Sequence, residues 1–313
     1  MSLALVTLSH SPLMTFTEPS PATRTRVDDA LQSARTFIRA FDPELVVLFG
    51  PDHYNGFFYD MMPPFCIGAA ATAVGDYDTP AGPLTVDRDA ALALVRGALD
   101  AEVDVAVSER MYVDHGFAQP LQLLFGGIDQ VPVVPVFINS LAEPLGPARR
   151  SRLLGDAVGR AARQLDRRVL LIGSGGLSHD PPVPSLEGAT PAVAASLITE
   201  GRNLTPEQRA ARQMRVIQGG RDYAAGIATI LPLNPEWDRN LLSVLASGEL
   251  SQIDTWSTSW FTEQAGHSSH ETRTSIAAYA ALATAGSYHV ESSYYEAIPE
   301  WIAGFALTTA RTT

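Results

Sequence analysis

LALVTLSH, residues 3–10, is a run of apolar and β-branched positions that stops abruptly at Ser9 and His10. A run too short for a helix and unbroken by charged residues reads as a strand buried on both faces, the form that parallel sheets take. The same form returns in LVVLFGPDH, residues 45–53, which ends at His53. It returns again in RVLLIGSGGLSH, residues 168–179, where His179 follows a glycine-rich turn. Val103–Val107 and Val131–Ile138 read as further strands. Between them Thr23–Phe41, Asp87–Leu99 and Leu145–Leu165 carry apolar residues at helical spacing with charged faces, and Thr205 with Gln208 opens another helix towards Ile230. Met61–Val86, rich in Pro and Gly, is expected as a loop or β-excursion over the sheet, and the segment around Tyr294–Phe305 as an irregular tail after a mostly helical C-terminal third. Alternating β and α elements predict an α/β fold: a largely parallel central sheet covered by helices on both faces, with residues 1–313 forming one domain.

Bulk chemistry removes whole function classes. The 313 residues carry a net charge of −12 with a pI near 5.0, and no basic stripe is visible, which excludes a nucleic-acid binder. The one cysteine, Cys66, lies in the apolar run Phe65-Cys66-Ile67; it permits neither a disulfide nor a thiolate metal cluster. All 22 basic residues are Arg. Without lysine, Schiff-base, pyridoxal-phosphate, Walker-A and protein-kinase chemistries lack their amine. The N-terminus has no basic leader and no apolar run approaches membrane-spanning length, so the chain is expected to be cytoplasmic, with no membrane partner.

The histidines carry the functional argument. In open α/β sheets ligands bind beyond the carboxyl ends of the strands, and His10, His53 and His179 each follow a strand there. Any one of them alone reads as a satisfied core histidine; three from independent strands read as a shared site. His115, preceded by Asp114, is either a buried structural histidine or an acid–base group, with Asp114 placed to support a nearby imidazole. The run His267-Ser268-Ser269-His270-Glu271 precedes an apolar helix, Ile276–Ala285, that Ser268 or Ser269 is placed to cap. Glu271 there is either a helix-dipole complement or the carboxylate that a two-histidine metal site lacks. Two histidines with a carboxylate suit non-haem Fe(II) and catalytic zinc alike. Gly173–Ser178 is no dinucleotide fingerprint, because Ser178 occupies the third glycine position. His267, His270 and His289 are expected at the surface or in local structural roles.

LSHSPL (Leu8–Leu13), PDHYNGFFYD (Pro51–Asp60), DHGFAQPL (Asp114–Leu121), GSGGLSH (Gly173–His179) and IPEWIAGF (Ile298–Phe305), in this order, resemble the class III extradiol ring-cleavage dioxygenases along essentially the whole chain. The resemblance implies a single α/β domain, often assembled as a homo-oligomer, and cleavage of a catechol bearing a short acidic side chain by O2. It implies Fe(II) held by His10, His53 and Glu271, with His115 and His179 as the catalytic acid–base pair. His179 as base and His115 as acid is the favoured order, which the sequence leaves open. A different catechol, a zinc hydrolase on the same ligands and a non-enzymatic scaffold are the competing readings.

Overall fold

The computed structural model describes residues 2–227 and 230–312. Its main sheet has eight strands in the order Tyr288–Ile298, Ala303–Thr312, Leu3–Leu8, Val169–Ser174, Leu45–Gly50, Val133–Ile138, Phe65–Gly68 and Ala106–Ser108. The four strands from Leu3–Leu8 to Val133–Ile138 are mutually parallel and buried at every residue, as their unbroken apolar composition requires. Antiparallel pairing flanks them: Ala303–Thr312 against Leu3–Leu8 on one side and Phe65–Gly68 against Val133–Ile138 on the other. The sheet is therefore mixed, with a parallel centre.

Alternate residues of the central strands enter opposite cores, the two-residue period of a strand covered on both faces. Leu3, Leu5, Val47, Phe49 and Leu171 pack with the helices Arg88–Asp100, Ala148–Ala162, Pro235–Ser247 and Thr272–Ala283. Ala4, Val6, Leu8, Leu48 and Ile172 pack with Pro21–Phe41 and His115–Phe125. The helix Thr272–Ala283 is buried along nearly its whole length because Ala148–Ala162 approaches it through glycines: a Cβ on Gly155 would lie 2.0 Å from the Ala277 carbonyl oxygen. Gly155→Ala is expected to destabilise the fold by about 1–3 kcal/mol, the usual cost of overpacking. The measurement is the denaturant midpoint at constant m-value; an unchanged midpoint would mean the helices separate freely.

Two expectations need correction. Residues Tyr294–Phe305 are not an irregular tail: they lie within a C-terminal hairpin, Tyr288–Ile298 paired with Ala303–Thr312 and turned at Pro299–Trp301. Its outer strand alternates half-buried and exposed residues only from Tyr288 to Tyr294 and is half-buried at every residue from there to Ala297, a weak strand signal that only pairing makes regular. The strand expected at Val103–Val107 is reduced to Ala106–Ser108 at the sheet edge. The excursion Met61–Val86 is confirmed as β structure: it supplies Phe65–Gly68 and two strands of a small second sheet, Ala71–Val74 and Ala81–Pro83, joined by Met111–Val113. Among the described residues no helix is long and apolar enough to cross a membrane.

Candidate active site

Leu3–Leu8, Val169–Ser174 and Leu45–Gly50 are adjacent in the sheet and parallel, so their carboxyl ends deliver His10, His179 and His53 to one edge. Two further segments complete the cluster. His115 opens the helix His115–Phe125, whose cap is Asp114; its ring stacks on His53 at 4.3 Å and meets His10 edge-on at 5.3 Å. Glu271 closes a 3-10 turn, His267–Glu271, at the start of Thr272–Ala283. Neither Ser268 nor Ser269 caps that helix; both are buried in the turn, and Ser269 Oγ donates to the Phe261 carbonyl instead. Gly175 lets this helix start come close, since a Cβ there would lie 2.6 Å from the Glu271 carbonyl oxygen. The glycine-rich turn thus serves carboxylate approach and holds no nucleotide fingerprint.

The Glu271 carboxylate is the hub. Oε1 lies 3.1 Å from Nε2 of both His53 and His179, and Oε2 lies 3.4 Å from Nε2 of His10. The outer nitrogens are each fixed by a partner. The Ser174 hydroxyl donates its one hydrogen to the Gly116 carbonyl at 2.7 Å, so it accepts from His10 Nδ1 at 2.9 Å. His179 Nδ1 donates to the Leu177 carbonyl at 2.9 Å, and His53 Nδ1 donates to Asp114 at 3.1 Å. With Nδ1 donating in all three, Nε2 is the nitrogen that faces Glu271, and loss of its proton would leave a lone pair there for a metal.

Burial pulls the His10 imidazolium down to about 3, against attraction from Glu271, so this ring is neutral. For His53 burial also opposes charge, but Asp114 and Glu271 outweigh it and raise the pKa well above the ordinary histidine value. His179 is raised as well, burial again being outweighed by Glu271. Burial would raise the Glu271 carboxyl, yet the rings of His179 and His10 hold it well below the usual carboxylate range. Asp114 is likewise lowered, with His53 and His115 overcoming its burial.

This donor set fits one divalent metal ion. Ligand atoms about 2.0–2.2 Å from a common centre are themselves roughly 3 Å apart, which matches the 3.1 and 3.4 Å separations around Glu271. Two imidazoles and a carboxylate, without any thiolate, suit a first-row ion with open coordination positions. His115 also brings a nitrogen within 4.8 Å of donors on His10 and His53. It differs from Glu271 in carrying no compensating charge and in being stacked face-on upon His53.

All six residues singled out in the sequence, His10, His53, Asp114, His115, His179 and Glu271, are brought together. Asp114 serves His53 and not its neighbour His115: Oδ2 accepts the His53 backbone N–H at 2.8 Å as well as Nδ1–H. The carboxylate on His115 is Asp76, which sequence reasoning missed. Its Oδ2 lies 2.6 Å from His115 Nδ1, and Oδ1 accepts the His115 backbone N–H at 2.8 Å. Asp76 sits between Gly75 and Tyr77, both at positive φ, in the Pro- and Gly-rich excursion; a carboxylate in such a tight loop was the available signal. Among the remaining histidines, His270 is buried and has a local structural role, with Nδ1 and Nε2 engaged by Arg273 and Thr262. His267 and His289 are exposed.

Above the cluster opens a cavity of about 680 Å³. His10, His53, His115, His179 and Glu271 form its floor, Leu13, Val183, Leu197 and Ile302 contribute apolar wall, and Arg212 and Arg215 bring positive charge. Its size and its apolar lining with a few convergent polar groups suit a small aromatic ligand.

Comparison with known proteins follows the same line. Residues 4–306 match the family described as the catalytic LigB subunit of aromatic ring-opening dioxygenase. A protein of Rhodococcus jostii (strain RHA1), named 2,3-dihydroxyphenylpropionate/2,3-dihydroxicinnamic acid 1,2-dioxygenase, is 64% identical over 99% of this chain and 98% of its own length. Proteins of the same name from Mycolicibacterium gilvum (strain PYR-GCK) and Burkholderia vietnamiensis (strain G4 / LMG 22486) are 56% and 55% identical, each over 99% of this chain and 98% of its own length.

Proposed function

The chain belongs to the LigB family of aromatic ring-opening dioxygenases, and within that extradiol activity we propose that it performs Fe(II)-dependent meta cleavage of 3-(2,3-dihydroxyphenyl)propionate or 2,3-dihydroxycinnamate with O2. The observation that carries the iron reading is the convergence of Nε2 of His10 and His53 on the Glu271 carboxylate, with His115 and His179 beside it. The names of the full-length relatives support the side chain.

His10, His53 and Glu271 would hold the iron. Bound there, Fe(II) would supply a Lewis-acid and redox centre for the catechol and O2. The rest is proton handling by the chain. The catechol must lose a proton as it binds, and His179 is suited to take it at Nε2, because Nδ1 is committed to the Leu177 carbonyl. Ring opening must return a proton to an oxygen anion. His115 is suited to give it from Nε2, its Nδ1 being paired with the Asp76 carboxylate. The stacking of His115 on His53 sets this donor directly beside the ligand set. The cavity's apolar wall limits water around the reacting ring.

The test is oxygen uptake by anaerobically purified, Fe(II)-loaded protein. One O2 is expected per 3-(2,3-dihydroxyphenyl)propionate, with a yellow ring-opened product. Faster turnover of catechol or protocatechuate at equal concentration would overturn the substrate; zinc in place of iron, with no oxygen uptake, would overturn the reaction.

Asp114→Asn provides a check on the support of the ligands. The amide keeps the size of Asp114 but loses the charge that orients His53. Metal affinity is expected to fall about 10–100-fold, the usual worth of an outer partner. Competition with a chelator reads this directly; unchanged affinity would remove Asp114 from the metal's support.

A further inference from the structure

From the charge layout of the cavity we infer that Arg215 anchors the carboxylate of the substrate side chain. This rests on the catechol-carboxylate reading above and names the group that would recognise it. Two arginines line the cavity, Arg212 and Arg215, one turn apart on the same face of the helix Pro206–Ala224. Their situations differ. The Arg212 guanidinium is committed: it donates to the backbone carbonyls of Tyr54, at 3.0 Å, and of His53, tying this helix to the loop that carries a ligand. Among the described residues no carboxylate or carbonyl pairs with Arg215, whose side chain is exposed at the cavity and free to meet an anion.

The cavity is polar in the electrical sense. Its lining takes the Glu271 carboxylate from the turn before Thr272–Ala283 and the two arginines from a different helix, Pro206–Ala224. Tyr77 lies near both groups: its ring meets His115 edge-on at 5.1 Å, and its phenol, raised by burial and by Asp76, feels the opposing charges of Arg212 and Arg215. A substrate with a diol at one end and a carboxylate at the other therefore has one favourable orientation, diol to the floor and carboxylate to Arg215. A chain of net charge −12 offers an anion no long-range attraction, so this local contact has to supply the selectivity.

The experiment compares kcat/KM for 3-(2,3-dihydroxyphenyl)propionate and 3-propylcatechol, its uncharged analogue, in the Fe(II)-loaded wild type, Arg215→Gln and Arg215→Lys. The wild type is expected to prefer the acid by about 10–100-fold, the worth of a charge-assisted hydrogen bond. Arg215→Gln should bring that ratio close to one, mainly through KM, and Arg215→Lys should keep part of it. Calorimetric titration of the metal-free protein with 3-phenylpropionate, which lacks the diol, should show a matching loss of affinity in Arg215→Gln. A wild type that prefers the acid and an Arg215→Gln that retains the preference would overturn the anchor and leave the substrate reading intact. A wild type with no preference would overturn the substrate reading, and the anchor with it.

Discussion

Glu271→Ala is expected to yield folded protein that binds metal at least about 10³-fold more weakly and opens no aromatic ring. Outer partners of a metal ligand are worth about 10–100-fold in affinity, so a direct, charged ligand must exceed that. The special position of Glu271 strengthens the expectation. Its carboxylate contacts three imidazoles and is held by the Gly176 backbone N–H at 3.1 Å. Removing it leaves the raised pKa values of His53 and His179 without their nearest shared anion, which also lowers the proton-binding tendency of both rings. Iron content after anaerobic loading, together with circular dichroism to establish folding, reads the outcome. Full iron and full activity in Glu271→Ala would transfer the third ligand to His115, whose nitrogen also lies close to those of His10 and His53.

His115→Gln and His179→Gln define the second large effect. Each is expected to retain iron and to lose turnover by about 10²–10⁴-fold, the usual contribution of a positioned acid or base. The two losses should fall at different steps. Without the base, anaerobic binding of the catechol should proceed without its ultraviolet shift to the anion. Without the acid, that shift should remain and the oxygen-dependent step should slow. His179→Gln failing the anaerobic shift would make it the base, as the commitment of its Nδ1 to the Leu177 carbonyl and the siting of its Nε2 beside Glu271 suggest; the opposite pattern would exchange the roles. Normal turnover in both variants would remove proton transfer by these rings from the mechanism, and loss of iron in either would make that histidine a ligand.

Much of this was legible in the chain itself. Unbroken apolar runs such as Leu3–Leu8 and Leu45–Gly50 mark strands buried on both faces, because nothing else about so short a segment lets every side chain escape water. A histidine just beyond such a run is carried to the edge where α/β sheets bind ligands, and the absence of lysine and of a second cysteine narrows the chemistry before any contact is known. The antiparallel flanks of the sheet were less visible. The strand Tyr288–Ile298 is aromatic, serine-rich and half exposed, and its regularity comes from pairing with Ala303–Thr312, not from its own composition.

Only the tertiary structure decided who partners whom. Asp114 precedes His115 in the chain but serves His53, because a helix cap turns the aspartate away from its neighbour and towards the loop after Leu45–Gly50. His115 takes its carboxylate from Asp76, 39 positions earlier, and His10 takes its tautomer from Ser174, 164 positions later. The distinction between Arg212 and Arg215 is of the same kind: identical side chains one turn apart, one committed to carbonyls and one open to the cavity. The local pattern of a sequence determines which residues reach the sheet edge, since burial acts on each segment separately. Hydrogen-bond partners and charge pairs are set by distances between segments, and those exist only once the sheet has assembled.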